Sequence, residues 1–534
     1  MTNQSDETVP LSRIGPKIPV DRSLPFHESL VHMFRHAVER KPDTVAVIYQ
    51  DRSITYRDFG RATNGLSDLL ESLRLELGPV VVMMPNSIEM DVALMAVLSV
   101  GAQVAPVNPF FHVVELCKVL DGFDAQAIVC HPSTSDKAHA VAEKMGLAHV
   151  ITVDYATLAA WTADGRLDAP PAKMPRADDL ALSIFTGGST GVPKGVNHTH
   201  RGLMWGLIQH VSVWPIPFGT GVFLNVAPMF HIWGLTYATW VPIFTAGTLV
   251  LIPKYDPDAV VKGLAEHRVS IFAGGPAPIY MGLLRSPLFD QVDLSALKYC
   301  PSGGAPCPED LHREWLKRTG CPVLEGWGMS EGAPFCLNRY DGQRKLLSVG
   351  NPVPETEVEV VDLETGKRVL PMGEAGEVRV RGPQMMLGYH NKPEETAYAL
   401  RDGYMYTGDI GYVDRDGFLF LVDRKKDIVI VGGYNVYPRE IDEVLFNHPA
   451  IHEAATVGKR DARLGEVVVA FVAVKSGAEL DEEQFFAYCK ESLVKYKRPV
   501  EVHFVDALPR TGTSKIDRIK LREMAASESA AGEV

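Results

Sequence analysis

Three neighbouring segments near the start of the chain constrain its fold more than any others. Residues 79–84 form a short continuous apolar run, residues 87–99 have helical spacing, and residues 103–106 form a second short apolar run. A strand that is apolar throughout is buried on both faces, which is typical of a parallel sheet covered by helices. The order strand, helix, strand therefore predicts a doubly wound α/β layer.

The same order recurs in residues 198–251 and again in residues 259–299. A chain of 534 residues is too long for one compact core, so we expect at least two domains. From about residue 350 the pattern changes to short alternating segments, of which 358–362, 376–381 and 418–421 are predicted strands. We therefore predict a large N-terminal domain, residues 1–424, that includes a β-rich subdomain at about 350–424.

The charged run 423–427 marks a second change of pattern. After it, strands and helices of ordinary length alternate over about a hundred residues, as in a compact α+β unit. Its predicted strands are 428–431, 454–457, 467–474 and 500–505, and its predicted helices are 438–446 and 482–493. We predict a hinge at residues 425–427 and a small, mobile C-terminal α+β domain at residues 428–534.

Charge and cysteine content exclude several classes of protein. The net charge of −13 argues against nucleic acid or an anionic membrane as the main partner, since both attract basic surfaces. The seven cysteines are scattered and include no Cys-x-x-Cys pair, which indicates reduced thiols rather than disulfides or a zinc site. The polar segment 1–25 has no secretory pattern, and the most apolar window, 92–107, falls short of a membrane span. We expect a cytoplasmic protein.

A glycine-rich loop, residues 185–195, directly follows the strand-like run 180–184. Glycines, hydroxyl residues and one lysine in such a loop can surround an anion with backbone N–H groups, so the loop predicts a phosphate site. It is not a Walker A loop, because Lys194 follows Pro193 and precedes Gly195. A P-loop ATPase is therefore disfavoured.

This loop resembles the phosphate-binding signature of the adenylate-forming superfamily, Thr-Ser-Gly-Thr-Thr-Gly-x-Pro-Lys-Gly. Gly187 stands where a serine is usual and Ser189 where a threonine is usual. Further motifs follow in family order over roughly residues 24–518, and they point to the acyl-CoA synthetase and 4-coumarate-CoA ligase branch. The resemblance implies that the loop binds ATP through Thr186, Gly187, Gly188, Ser189, Thr190, Gly191 and Lys194.

Residues 228–234, Pro-Met-Phe-His-Ile-Trp-Gly, resemble the family's aromatic and histidine gate. The resemblance places His231 beside the reacting carboxylate and makes Trp233 a wall that limits the depth of the acid pocket. Amino-acid-activating relatives generally carry an aspartate nearby, and none occurs between Phe230 and Phe244. An amino-acid substrate is therefore disfavoured.

Two further motifs resemble the family's adenine and magnesium sites. Residues 302–306 are similar to the adenine loop, which implies nucleotide contacts at Gly304, Ala305 and Pro306. Residues 325–331 resemble the Tyr-Gly-x-Thr-Glu motif and imply contacts at Glu325, Gly326, Trp327, Gly328, Met329, Ser330 and Glu331. In this comparison Trp327 flanks the adenine and the acid, Ser330 contacts the α-phosphate, and Glu331 holds Mg²⁺ with Thr190 as a second ligand.

The remaining motifs imply a ribose site and a mobile domain. Asp409, in Tyr-Thr-Gly-Asp, matches the residue that accepts both ribose hydroxyls, and Arg424 matches the second ribose contact. Lys426 occupies the hinge position. Gly432 and Gly433 resemble the loop that lines the pantetheine tunnel, and Lys515, after Ser514 instead of the usual glycine, matches the adenylation lysine.

Together the resemblance implies an AMP-forming acid–thiol ligase that uses ATP, Mg²⁺ and CoA. Its catalytic groups would be His231, Glu331, Thr190 and Lys515, and its acid pocket would be lined by the set His231, Trp233, Gly303, Gly304, Trp327 and Gly328. The expected substrate is a small to medium apolar carboxylic acid: aryl, alicyclic, branched, or a short- to medium-chain fatty acid. An acyl-AMP ligase that loads a carrier protein and a non-catalytic nucleotide-binding homologue are the alternatives, and the oligomeric state is left open.

Overall fold

The structure, a computed structural model, describes residues 10–73, 78–169, 174–186, 193–305, 307–511 and 516–531. Short strands and longer helices alternate through the first 340 residues. The strands here are β1 (Arg13–Ile14), β2 (Val45–Tyr49), β3 (Arg52–Thr55), β4 (Pro79–Met83), β5 (Gln103–Pro106), β6 (Ala127–Cys130), β7 (Val150–Thr152), β8 (Leu180–Thr186), β9 (Lys194–Thr199), β10 (Val222–Asn225), β11 (Thr248–Leu251), β12 (Ile271–Phe272), β13 (Cys300–Ser302), β14 (Val323–Met329) and β15 (Gly332–Leu337).

The helices of the same part follow most of these strands. They are α1 (Leu30–Arg40), α2 (Tyr56–Ser72), α3 (Ile88–Ser99), α4 (Val113–Val119), α5 (Ser135–Met145), α6 (Tyr155–Thr162), α7 (His200–Val213), α8 (Ile232–Leu235), α9 (Val241–Phe244), α10 (Pro257–Glu266), α11 (Ala277–Leu284) and α12 (Glu309–Thr319). A π-helical turn, Thr236–Trp240, joins α8 to α9.

The rest of the chain is richer in strands, as the sequence predicts. Its strands are β16 (Asn351–Pro352), β17 (Glu357–Val361), β18 (Gly376–Arg381), β19 (Gly388–Tyr389), β20 (Leu400–Arg401), β21 (Tyr404–Val413), β22 (Leu419–Arg424), β23 (Val429–Val431), β24 (Tyr434–Val436), β25 (Ile451–Asp461), β26 (Gly465–Val474) and β27 (Glu501–Phe504). Its helices are α13 (Pro393–Ala399), α14 (Pro438–Phe446), α15 (Glu482–Ser492) and α16 (Arg518–Ala531).

Two sheets form the layers of the large part. One has seven strands in the order β19-β9-β8-β5-β4-β6-β7, and the other has five in the order β12-β10-β11-β2-β3. β4 lies parallel to β5 and β6 at the centre of the first sheet, and all its residues are buried. Val80 and Val82 belong to one apolar core and Val81 and Met83 to another, so helices cover both faces of the sheet. The predicted α/β class is confirmed.

Three smaller sheets complete the molecule. β13-β14-β15-β16 links the layers to a six-stranded sheet in which β1, β17, β18, β21 and β20 are neighbours and β22 pairs with β21. In the C-terminal part, β24-β23-β26-β25 and β27 form a five-stranded sheet with a core of its own around Ile441, Leu445 and Phe485. In the parts of the chain described above, no helix is long and apolar enough to cross a membrane.

Some element boundaries differ from the prediction. The sequence favours a first helix from Phe26, but α1 begins at Leu30 because the Ser29 side chain accepts the backbone N–H of His32 and caps the helix there. The motif at residues 406–409, interpreted from the sequence only as a ribose site, lies within a ten-residue strand, Tyr404–Val413. β9 was also not predicted: the chain leaves the glycine-rich loop as a strand antiparallel to β8.

Candidate active site

The hairpin β8–β9 carries the predicted phosphate loop at its tip. Thr186 and Lys194 are paired residues in the antiparallel ladder, so the loop leaves and re-enters the sheet at adjacent positions. Gly187, Gly188, Ser189, Thr190 and Gly191 lie outside the described residues, and their predicted roles stay predictions. The Lys194 ammonium lies 5.0 Å from the ring centroid of Tyr389, a cation–π contact.

Glu331, the predicted magnesium ligand, lies between β14 and β15 with its side chain buried. Its Oε1 accepts a hydrogen bond of 2.8 Å from the Tyr389 hydroxyl. Burial, followed by the charge of Glu331, raises the pKa of Tyr389, so the phenol keeps the proton that it donates. Tyr389 therefore joins the loop lysine to the predicted metal ligand.

Sequence reasoning missed Tyr389. The residue reaches the site because β19 pairs with β9, with Tyr389 opposite Val196. Neither its spacing from Glu331 nor the pattern around it carries a signal for this contact, because the pairing joins segments almost two hundred residues apart.

A buried histidine ties the magnesium motif to the phosphate hairpin. His198, on β9, has its Nε2 2.7 Å from the backbone carbonyl of Ser330. Since a carbonyl oxygen only accepts, Nε2 carries the proton. Burial lowers the pKa of His198 to about 4, so the ring is neutral at pH 7. The hydrogen bond fixes Ser330, the predicted α-phosphate contact, relative to Lys194.

Asp409, Arg424 and Trp327 form one hydrogen-bonded unit. Asp409 and Arg424 are paired residues of β21 and β22, and Nε of Arg424 lies 2.6 Å from Oδ1 of Asp409. The charge of Asp409 raises the pKa of Arg424. The indole N–H of Trp327 donates to the other carboxylate oxygen over 2.9 Å. The two predicted ribose contacts and the predicted adenine-flanking ring thus contact one another directly.

The predicted adenine loop and acid gate approach each other closely. A Cβ at Gly303 would lie 2.7 Å from a ring carbon of Trp233 and 3.0 Å from the carbonyl oxygen of Gly326, so only glycine allows this approach. Gly304 follows with φ +78°, a conformation that also favours glycine. Ala305 is half-buried, and Pro306 lies outside the described residues. Gly328 is exposed, and a Cβ there would lie 2.9 Å from the Ala333 side chain.

His231 directly precedes α8, and its ring centroid lies 6.1 Å from that of Phe230. Trp233 lies in the first turn of the helix, donates its indole N–H to the Ala273 carbonyl over 3.3 Å, and packs 4.8 Å from the ring of Tyr237. The gate segment, residues 228–234, is thus anchored to Ala273, which directly follows strand β12.

Two other members of the magnesium motif point into the protein. Glu325 is buried, with Oε1 2.9 Å from Nε2 of His312 and Oε2 accepting the backbone N–H of Cys307 over 3.2 Å. Met329 packs at the edge of the core of the six-stranded sheet. Through Glu325, strand β14 holds the end of the adenine loop.

The predicted hinge and the predicted pantetheine loop lie in two separate turns. Lys426 is exposed in a short 3₁₀ turn, Lys425–Asp427. Gly432 and Gly433, with φ +57° and +87°, form the exposed turn between β23 and β24. Lys515 lies outside the described residues. The hinge, tunnel and adenylation roles of these residues stay predictions.

The sequence is similar to two family profiles and to several proteins of known activity. The sequence profile of the AMP-binding enzyme family matches residues 34–390, and that of the AMP-binding enzyme C-terminal domain matches residues 440–515. A long-chain-fatty-acid–CoA ligase of Bacillus subtilis is 34% identical over 95% of this chain and 96% of its own length. A feruloyl-CoA synthase of an Amycolatopsis species is 34% identical over 90% of this chain and 96% of its own length.

Solved structures agree with these relatives. ATP-bound MatB from Rhodopseudomonas palustris superposes with a TM-score of 0.86 at 33% identity, over 92% of this chain and 98% of that one. The anthranilate CoA ligase AuaEII, in complex with anthranoyl-AMP, superposes with a TM-score of 0.85 at 27% identity, over 95% and 99% of the two chains.

The fold and the arrangement of motifs define an adenylate-forming enzyme with a large N-terminal and a smaller C-terminal domain. The chain belongs to the AMP-binding enzyme family, in its acyl-CoA ligase branch. The predicted family and enzyme class are confirmed.

Proposed function

We propose that the protein is an ATP-dependent carboxylate–CoA ligase for a small to medium apolar acid, either aryl, alicyclic, branched, or a short- to medium-chain fatty acid. It would join the acid to AMP with release of pyrophosphate and then pass the acyl group to CoA. The observation that carries the proposal is a pair of side-chain groups at the predicted nucleotide motifs. Tyr389 contacts Lys194 and Glu331 in one group. Asp409 contacts Trp327 and Arg424 in the other. Relatives named as CoA ligases support it.

The first half-reaction brings two anions together, the carboxylate and the α-phosphate of ATP. Positive charge and oriented donors placed where charge develops lower that barrier most. Lys194 begins the strand that follows the phosphate loop. The hydrogen bond from His198 holds the backbone of Ser330, the residue before Glu331. Lys515 would add a second cation to the phosphates. Asp409 would accept the ribose hydroxyls through the remaining lone pairs of its oxygens.

The residues around Glu331 suit a magnesium ion that arrives with ATP. Among the described residues, no three His, Cys, Asp or Glu side chains form a metal-binding cluster. Mg²⁺ bound to nucleotide phosphates needs only one or two carboxylates from the protein. Glu331 would hold it, with Thr190 as the second ligand, and the ion would neutralise phosphate charge. Tyr389 orients the carboxylate through its hydrogen bond to Oε1.

The second half-reaction needs different residues beside the acyl carbon. The turn at Gly432 and Gly433 would let the backbone pass close to the thin pantetheine arm of CoA. The small domain, residues 428–534, carries both this turn and Lys515. Rotation about Lys426, in the hinge 425–427, would present first the lysine and then the turn to the large domain.

A pyrophosphate-release assay across aromatic and aliphatic acids, with and without CoA, tests the proposal. We expect pyrophosphate to depend on one class of acid, and acyl-CoA and AMP to appear in equal amounts when CoA is added. Release of pyrophosphate without any acyl-CoA would indicate transfer to a different acceptor, such as a carrier protein. Failure of every acid to release pyrophosphate or to exchange labelled pyrophosphate into ATP would refute adenylation itself.

A further inference from the structure

A side chain at the start of helix α3 holds the beginning of the gate segment, residues 228–234. Asn86 donates from Nδ2 to the Ala227 carbonyl over 2.8 Å, and its Oδ1 accepts the backbone N–H of Met229, also over 2.8 Å. Asn86 is buried, and Ser87 caps α3 directly after it. Because both bonds come from one side chain, the chain enters the gate at a fixed position relative to α3.

A second contact from α3 holds the other end of this region. Asp91, in the first turn of α3, accepts a hydrogen bond of 2.7 Å from the Thr239 hydroxyl, and both side chains are buried. Thr239 belongs to the π-helical turn, Thr236–Trp240, which directly follows the gate and α8. Turns of this kind are rare and are frequently found at functional sites. The gate therefore lies between two contacts to the start of one helix.

The hydroxyl of Thr239 differs from those of the other threonines in this region. The hydroxyls of Thr236 and Thr245 donate to the carbonyls of Ile232 and Val241, each four residues earlier. That bond is the usual one for a threonine inside a helix. The Thr239 hydroxyl bonds to α3 instead, so it joins two elements that are far apart in the sequence.

Asp91 lies in surroundings that disfavour a charge. All twelve residues of α3 are buried. Glu89, the other acid of the helix, pairs with Arg52 over 3.0 Å, whereas the parts of the chain that the structure describes contain no cation paired with Asp91 and no partner for its Oδ2. Burial raises the pKa of Asp91 to about 8, although the hydrogen bond from Thr239 lowers it. Burying a polar group costs free energy, so a carboxyl whose one hydrogen bond is to the π-helical turn indicates a role for that contact.

Further contacts connect the turn to the gate. The ring of Tyr237, in the turn, packs 4.8 Å from the ring of Trp233. Trp233 donates its indole N–H to the Ala273 carbonyl, and a Cβ at Gly303 would lie 2.7 Å from its ring. A shift of the turn would therefore move a ring that packs directly against the predicted adenine loop.

We propose that Asp91 is a positioning residue for acid binding: through Thr239 it holds the π-helical turn, and with it the ring of Trp233, in the position that sets the depth of the acid pocket. This inference rests on the proposed function and on the predicted role of Trp233 as a wall of that pocket. Asp91 does not touch the acid. Loss of its hydrogen bond would loosen the wall, whereas the nucleotide contacts predicted at Asp409 and Arg424 would stay as they are.

Hydrogen exchange of the ligand-free protein tests the contact without any substrate. Thr239→Val keeps the shape of the side chain and removes the hydroxyl. We expect backbone N–H groups of residues 232–241, which are α8 and the turn, to exchange about 2- to 10-fold faster, the factor that one hydrogen bond is worth. The matched control, Thr245→Val, removes a buried hydroxyl that bonds to the turn before it, and exchange in α8 should not change.

Two results of the exchange measurement would overturn the proposal. Unchanged exchange in α8 of Thr239→Val would mean that the contact does not reach the gate. Faster exchange throughout the chain would mean that the contact serves only general stability.

Substitutions at Asp91 test whether the two side chains act together. Asp91→Ala should have the same effect on exchange as Thr239→Val, and the double variant should have no more effect than either one, since both remove one hydrogen bond. Asp91→Asn keeps an oxygen that accepts from Thr239 and should behave as the unmodified protein. Additive effects, or an Asp91→Asn variant that exchanges as fast as Asp91→Ala, would contradict the proposal.

Steady-state kinetics separate this proposal from the proposed function. The probes are benzoate, octanoate and the acid that gives the fastest pyrophosphate release in the acid screen. Thr239→Val should raise KM for the acid about 2- to 10-fold and leave KM for ATP and kcat within about twofold. A fall in kcat with both KM values unchanged would refute the positioning role in an active ligase. If no acid releases pyrophosphate, the proposed function fails, and hydrogen exchange alone decides whether Asp91 holds the gate.

Discussion

Tyr389 joins the two charged groups on which phosphate binding would depend. Its ring lies under the Lys194 ammonium and its hydroxyl donates to Glu331. A side chain that orients a metal ligand is typically worth about 10- to 100-fold in metal affinity or activity. We therefore treat Tyr389 as a positioning residue: it would act on magnesium through Glu331 rather than touch the substrate.

Tyr389→Phe tests the role of the hydroxyl separately from that of the ring. The ring under Lys194 is retained, but Glu331 loses its hydrogen bond, so we expect adenylation to need about tenfold more magnesium for half-maximal rate. The measurement is the pyrophosphate-release rate at a series of magnesium concentrations. Tyr398→Phe, at an exposed position on α13, is the control and should leave the magnesium curve unchanged. An unaltered curve in Tyr389→Phe would show that the hydroxyl does not position Glu331.

For single residues, the sequence predicts which ones belong to the same site, but not which hydrogen bonds and ion pairs their side chains form. The motifs place Asp409, Arg424 and Trp327 at one nucleotide, whereas the structure joins the three to each other. Glu325 is predicted to contact the nucleotide, and the structure adds that its side chain contacts His312 and Cys307. A motif records that a residue type is required at a position. The partner of its side chain depends on pairing between distant segments, which one sequence does not contain.

Among the elements, strand β9 and helix α7 are joined without a break and carry three buried histidines. His198, His200 and His210 each have a pKa lowered to about 4, chiefly by burial. In the unfolded chain the same residues titrate near about 6.5. Between these two values the unfolded state binds more protons than the folded state, so the free energy of unfolding decreases as pH falls through this window.

The expected size of the effect is roughly 1 kcal/mol per histidine for each pH unit below 6.5. Urea unfolding of the whole chain at a series of pH values between 7.5 and 5 would measure it, with reversibility checked at each pH. His210→Phe removes one titrating group, so its stability should depend less steeply on pH, whatever its stability at pH 7.5. Equal slopes for the two proteins would mean that His210 is not held neutral in the folded state.

Element prediction succeeded where apolar runs were continuous. β4 and the helix α14 were predicted to within a residue of their bounds because burial on both faces, or a single helical stripe, leaves a clear pattern. β21 was missed because Thr407, Gly408 and Asp409 interrupt its apolar residues. It is a strand because β18 and β22 pair with it on both sides, and both ladders are irregular near these residues.

At the scale of the whole molecule, hydrogen bonds and an ion pair hold the segments beside the predicted hinge, residues 425–427. The backbone N–H of Arg439, at the start of α14, donates to Asp423 over 2.8 Å, and its guanidinium donates to the Leu421 carbonyl over 2.9 Å. Lys425 pairs with Glu377 over 2.6 Å on the other side of the turn. Ion pairs and hydrogen bonds at a partly exposed surface are individually weak, so they would oppose the proposed rotation of the small domain only weakly.

Separate assays of the two half-reactions test whether the small domain contributes different residues to adenylation and to thiolation. Lys515→Ala should lower acyl-AMP formation by about 100-fold or more, because a cation aimed at developing charge is lost. Thiolation of chemically prepared acyl-AMP should stay within a few-fold of the unmodified enzyme, since the lysine would then face away from the acyl carbon. Lys520→Ala, at an exposed position on α16, is the control and should leave both rates unchanged. Equal loss of both half-reactions in Lys515→Ala would mean that one domain orientation serves both steps, and the hinge at Lys426 would then have no catalytic purpose.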